Sequence, residues 1–262
     1  MNKDYQEIVL ELKEWFSGYV KRFQSVDLED QQNIDLKEEH TKHVCSEILD
    51  IGKSLGLNFS DLHLAEVMAL FHDIGRFEQY ARYGTFLDFK SEDHAMLGVK
   101  VIREETVLSR FDQSTQDLIL RTIAYHNRAD LPKDETERCL FFTRLLRDAD
   151  KLDILRVVTD YYGQKDDLKN GAIELGLPDT PEISDDVCKD LMEGRIVTMS
   201  SLKTLNDFKL LQMGWVYDIN FPRTFQCILE RGYLQMIRDA LPHSNRISQI
   251  YSAVQSYLEQ KC

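Results

Sequence analysis

Between Leu62 and Phe71 the chain is apolar nearly all the way round a helix, with Leu62, Leu64, Ala65, Val67, Met68, Ala69, Leu70 and Phe71 interrupted only by His63 and Glu66. A helix with no polar face has to lie at the centre of a fold. This one ends on His72-Asp73, two adjacent groups that bind metal well. Burying both costs free energy unless they find partners. Those partners must come from elsewhere in the chain. Neighbouring side chains leave a helix about 100° apart, so the pair can meet at one ion only if the helix turns its edge towards the site.

Apolar residues at helical spacing continue on both sides of this segment. Residues 4–24 carry Tyr5, Ile8, Val9, Leu12, Trp15, Phe16, Val20 and Phe23, the pattern of an amphipathic helix. An Asp/Gln-rich connection is expected from Asp27 to Asn33. A helix is expected from Asp35 to about Leu55, with Leu36, His40, Val44, Ile48 and Ile51 on one stripe. Ser60 is the expected N-cap of the apolar helix and Gly75 its expected terminator. Residues 76–90 read as a loop mixing aromatic side chains (Phe77, Tyr80, Tyr83, Phe86) with cations. Loops of that length inside compact domains are often functional. Ser91 is the expected cap of a helix carrying His94, Leu97, Val101 and Ile102. Ser114-Thr115-Gln116-Asp117 reads as a capping box opening a helix that ends near His126. A long helix is expected from about Asp134 to Tyr162, then irregular structure over 163–183 apart from a short turn around Ala172 to Leu175. Helical patterns resume at 184–194, 200–217, 223–240 and 245–260. With five prolines and twelve glycines in 262 residues, helix breakers are scarce, and the expected class is all-α.

Charge and cysteine usage narrow the function classes. A net charge of −13 argues against a nucleic-acid polymer as partner, because phosphate backbones need clustered Lys and Arg. It leaves room for a small phosphorylated substrate, since a bound cation supplies local positive charge. Cys45, Cys139, Cys188, Cys227 and Cys262 are scattered with no CxxC, which predicts a reducing, cytoplasmic setting and no disulfide framework. The N-terminus carries charges where a signal peptide needs an apolar core, and no apolar run is long enough to span a bilayer.

Six residues carry the chemistry: His40, His72, Asp73, His94, His126 and Asp150. By the spacing above they sit in or at the ends of five helices. Imidazole nitrogen and carboxylate oxygen are ligands for divalent first-row metals. An aspartate can bridge two ions, and two-metal sites suit phosphoryl hydrolysis because a shared water is acidified and both reacting oxygens are stabilised.

His40, the pair His72-Asp73, and Asp150 in Arg147-Asp148-Ala149-Asp150-Lys151-Leu152-Asp153 resemble the H…HD…D signature of the HD-domain metal-dependent phosphohydrolases. Glu39-His40-Thr41 is similar to that family's first histidine helix, and His43 falls where many members carry Arg, so His40 is assigned as the ligand. The resemblance covers about 40–160. It implies an all-helical bundle with metal at its centre. The chain is expected to form one domain over 1–262, with its core at about 35–163 and a helical extension at about 184–262 that either extends the domain or forms a helical cap. His94 and His126 resemble the two extra histidines of members that hold two metals. The implied cofactors are one or two divalent ions (Mn, Fe, Co, Ni, Zn or Mg). Arg76 stands where members often carry Lys near the substrate phosphate, so Asp73 and Arg76 are the expected catalytic residues. Arg76, Lys90, Arg128 and Lys151 are the expected substrate-binding cations. The segment Tyr125 to Pro132 is loosely similar to the HD-GYP cyclic-dinucleotide phosphodiesterases but lacks their Gly-Tyr-Pro. The expected activity is hydrolysis of a phosphomonoester or phosphodiester bond in a small metabolite or nucleotide. The alternatives are a di-iron HD-type oxygenase and a non-catalytic metal- or nucleotide-binding sensor.

Overall fold

The computed structural model describes residues 2–163 and 171–262. They form helices joined by turns, with no strand among the described residues. The chain is therefore all-α. It divides into two compact units, Met1–Asp150 and Lys151–Cys262.

The first unit contains α1 (Asn2–Val20), α2 (Leu28–Ser54), α3 (Phe59–Phe71), α4 (Gly75–Tyr83), α5 (His94–Glu104), α6 (Gln113–Tyr125) and the first half of α7 (Glu137–Gly163). The apolar helix α3 is the centre, as its composition requires. Ala65, Val67, Met68, Ala69 and Phe71 are fully buried. Burying each of its larger side chains stabilises the fold by about 1.5–3 kcal/mol. Val44, Ile48 and Ile51 of α2 are equally inaccessible, and Trp15 of α1 lays its ring 5.8 Å from that of Phe71. Glu66, the acid inside the apolar run, is paired with Lys13 at 2.5 Å.

Helix boundaries differ from expectation, because capping side chains decide them. The Asp/Gln-rich stretch is helical: Asp27 caps α2 by accepting from the Glu29 and Asp30 amides, and acids in the first turn suit the helix dipole. Asn58, not Ser60, caps α3. Asp93, not Ser91, caps α5. Asp112 caps α6 through the Thr115 amide, two residues before the expected box.

The largest correction concerns Gly75 and residues 76–90. Residues 72–74 form a turn, and Gly75 opens a new helix, α4. The loop reading fails because Phe77 and Gln79 are fully buried, giving α4 an inward face. Gly75 serves close approach: a Cβ there would collide with the His94 carbonyl oxygen and the Gly98 amide nitrogen of α5. Gly84, at φ +61°, ends α4 in the left-handed region.

The second unit takes the rest of α7, then α8 (Gly171–Glu174), α9 (Asp185–Met192), α10 (Leu205–Gly214), α11 (Pro222–Glu230), α12 (Tyr233–Asp239) and α13 (Asn245–Lys261). The expectation of irregular structure over 164–170 lies outside the described residues. The 223–240 pattern is two helices, broken at Gly232 with φ +68°. All five cysteines are free. Among the described residues no helix is long and apolar enough to cross a membrane.

Candidate metal centre

All six candidate ligands lie in the first unit. Each is delivered by the end or inner face of a helix. His40 projects from α2 and is 3% exposed. His72 and His126 are the C-terminal caps of α3 and α6. Each closes its helix in the same way: Nδ1 of His72 bonds to the Ala69 carbonyl, and Nδ1 of His126 to the Ile123 carbonyl, both at 2.7 Å. A carbonyl only accepts, so each Nδ1 carries the proton and each Nε2 keeps its lone pair free to face the site. His94 opens α5, and its Nδ1 meets Asp88 Oδ2 at 2.7 Å, which orients its Nε2 in the same manner. Asp150 comes from α7.

The side chains converge on Asp73. Its Oδ2 lies 3.7 Å from His40 Nε2 and 3.8 Å from His72 Nε2. Its Oδ1 lies 3.3 Å from His94 Nε2 and 3.8 Å from His126 Nε2. Asp150 Oδ1 joins the first pair, 3.1 Å from His40 Nε2 and 3.7 Å from His72 Nε2. The Nε2 atoms of His40 and His72 are 3.3 Å apart, and those of His94 and His126 are 3.1 Å apart. Facing lone pairs at that range repel unless a proton or a cation lies between them. The donor set, four imidazoles and two carboxylates in a buried space, fits divalent first-row cations. Two overlapping groups, His40 with His72 and Asp150, and His72 with Asp73 and His126, have ligand atoms close enough to hold an ion.

Electrostatics keep Asp73, Asp150, His94 and His126 in their ligating forms. Burial raises the Asp73 pKa, but Lys37, His72, Arg76 and His94 outweigh it and hold the carboxyl well below the usual range. Asp150 is likewise lowered: burial opposes ionisation, and the adjacent His40 and His72 overcome it. Burial pushes His126 down to about 3, helped by the neighbouring His94 and His72. Burial and Arg76 lower His94 against the pull of Asp88 and Asp73. Neutral imidazoles beside ionised carboxylates are what a cation site needs.

The other candidates are placed as follows. Arg76 lies at the centre, with Nε 3.4 Å from Asp73 Oδ1. Its Nη1 donates to Gln79 Oε1, Asp88 Oδ1 and the Phe86 carbonyl. Lys90 rests over the ring of its neighbour Phe89, at 5.8 Å. Arg128 stacks on Tyr125 at 4.7 Å. Lys151 belongs to the second unit and pairs with Asp218 at 2.7 Å. His43 and His63 each turn Nδ1 back to a carbonyl one turn earlier on the surface. Of the aromatics of the 76–90 stretch, Phe77 is buried and Tyr80 bonds to Asn33 and Asp30, whereas Tyr83 and Phe89 are exposed.

Two residues of the site escaped the sequence reading. Lys37 Nζ is 2.9 Å from Asp73 Oδ2. Its signal was present, since it stands one helical turn before His40. Asp88 bonds to both His94 and Arg76. It had no local signal, because only the turn after α4 brings it there. Arg147, on α7, ties down the turn after α6 by donating to the carbonyls of His126 and Arg128.

Comparison with curated proteins and with solved structures yields no match. The HD-domain family model does match, over residues 38–155. All six converging side chains lie within that matched stretch.

Proposed function

We propose that the protein is a metal-dependent phosphohydrolase acting on a small phosphorylated metabolite or nucleotide. The observation that carries this reading is the placement of Asp73, whose two oxygens face two different imidazole pairs. That is the arrangement of a carboxylate shared by two cations. His40, His72 and Asp150 would hold one, and His94 and His126 the other. Divalent ions there would acidify a water and polarise a phosphoryl oxygen. The chain's own groups do the remaining work. Arg76, locked beside Asp73, sets a fixed positive charge where the phosphoryl oxygens gather negative charge. Asp88 fixes the orientation of His94. Burial of the centre excludes bulk water and strengthens each of these interactions. The acidic surface, with net charge −13, favours a small anion drawn to a local cation over a nucleic-acid polymer or an anionic membrane.

Elemental analysis of protein purified without added metal, followed by a panel of phosphomonoesters, nucleotides and cyclic nucleotides with Mn²⁺, Co²⁺, Ni²⁺, Mg²⁺ or Fe²⁺, tests the reading. Phosphate release that depends on the metal is the expected result. Metal in the site with no turnover of any ester would sink it. Oxygen uptake by the iron-loaded protein without phosphate release would replace it with oxygenase chemistry.

A further inference from the structure

Asp73 has a cation on each oxygen: Arg76 Nε at 3.4 Å from Oδ1 and Lys37 Nζ at 2.9 Å from Oδ2. The two cations are held differently. Arg76 shares Nη1 among Gln79, Asp88 and the Phe86 carbonyl, so its guanidinium is locked in place. Lys37 donates to Asp73 and rests its ammonium over the face of Phe86, 5.4 Å from the ring centroid. Its head sits on a flexible aliphatic stem that can swing.

The oxygen that Lys37 contacts is also the one facing His40 and His72. A divalent cation held by those imidazoles and Asp150 would take Oδ2 as a ligand. It would then repel an ammonium a few ångströms away. The ammonium needs another anion, and its stem and the Phe86 ring keep it at the edge of the site.

We propose that Lys37 is a substrate-binding residue: its ammonium, poised on the Asp73 oxygen that also faces His40 and His72, takes the phosphoryl oxygens of the substrate and favours a phosphomonoester dianion over a diester. For its ligand class this rests on the phosphohydrolase reading. Charge balance supports the preference. Asp73, Asp88 and Asp150 are opposed at the site by Lys37 and Arg76. With divalent cations bound, the balance becomes positive. A monoester carries about −1.5 to −2 charge at neutral pH and neutralises more of it than the single negative charge of a diester. Arg76 keeps its own partners throughout, so Lys37 is the cation free to follow the substrate.

The test is calorimetric titration of the Mn²⁺-loaded full-length protein with inorganic phosphate and with dimethyl phosphate, for wild type, Lys37→Met and Lys37→Arg. Wild type should bind inorganic phosphate the more tightly. Lys37→Met should weaken that binding by roughly ten- to a hundredfold, the range for a charged hydrogen bond, and leave dimethyl phosphate within about threefold on the same scale. Lys37→Arg should recover most of the loss. In turnover, the loss should appear in KM more than in kcat. Lys37→Gln, which keeps a donor to Asp73 without the charge, substitutes for Lys37→Met if that variant does not fold. Unchanged phosphate affinity overturns the proposal. So does a fall in Mn²⁺ stoichiometry that accounts for the loss, because Lys37 would then only prop Asp73. Lys37-dependent phosphate binding without hydrolysis of any ester would keep this proposal and remove the phosphohydrolase reading. Hydrolysis indifferent to Lys37 would do the reverse.

Discussion

Both units bury polar side chains, but they resolve the cost in opposite ways. In the second unit, Asp207 is fully buried and accepts from the amides of Ser184, Lys203 and Thr204 and from the Ser184 hydroxyl. Asn206 reaches the Thr180 carbonyl, Thr204 the Glu182 carbonyl and Lys209 the Ala240 carbonyl. These groups end mainly on backbone from elsewhere in the same unit, so the result is a set of capped helices and fixed turns. In the first unit, His72 and His126 spend one nitrogen on backbone and aim the other at a shared carboxylate. Buried polar groups that point outward to backbone build structure. Those that converge on one another, with lone pairs facing, build a site.

The largest effect expected from breaking this contrast is at Asp73. Asp73→Ala should lower metal-dependent turnover by far more than the roughly 10- to 100-fold typical of losing an outer partner of a ligand. Metal content should fall with it, and unchanged activity would contradict the assigned centre. Asp207→Ala should do the opposite. It strands buried amides in the second unit and should cost about 2 kcal/mol of stability, read by chemical denaturation, with metal stoichiometry intact. A lost metal would show that the two kinds of burial are not separable.

Asp88→Asn sharpens the comparison within the site. It weakens the acceptor that orients His94, and should reduce metal affinity by roughly tenfold while the melting temperature of the metal-free protein stays close to wild type. The smallest effect is on pH. His126 is lowered from 6.5 to about 3 by burial. The unfolded chain therefore takes up a proton first as pH falls below about 6.5, while the folded chain resists until about 3. Stability of the metal-free protein should be full above that window and decline through it. Asp73 and Asp150, both lowered, add their own loss only at more acidic pH, below about 3.8, where the unfolded carboxyls take up protons that the folded ones still resist. His243, the one histidine of the second unit, is exposed. Trp15 and Trp215 are the only tryptophans, one in each unit. Fluorescence of single-tryptophan variants at pH 7 and pH 5 should place the decline at Trp15; a decline led by Trp215 would assign it to the wrong unit.

Much of the centre was legible because its residue types are rare where they stand. An apolar helix ending in His72-Asp73 has few structural uses for that pair. His40, His94, His126 and Asp150 then fall at helix ends or on an inner stripe in the order that a helical metal site needs. Boundaries were less legible. Asn58, Asp93 and Asp112 cap helices where Ser60, Ser91 and Ser114 were expected, because several nearby side chains can cap and only the final turn selects one. The stretch 76–90 read as a loop because Gly75 looks like a helix end in one dimension. In three dimensions it is the point where α4 approaches α5 too closely for any side chain.

By itself, then, the sequence determined an all-helical chain, a buried central helix, and the identity and order of the side chains that meet beside it. Periodicity and caps are local properties, and a chain read in order displays them. Tertiary structure alone decided which Asp73 oxygen faces which imidazole pair, that Asp88 stands behind His94, and that Lys37 rather than Lys90 or Arg128 reaches the Asp73 carboxylate. Those contacts, between 2.7 and 3.8 Å, are set by the relative positions of several helices, and no local pattern encodes such distances.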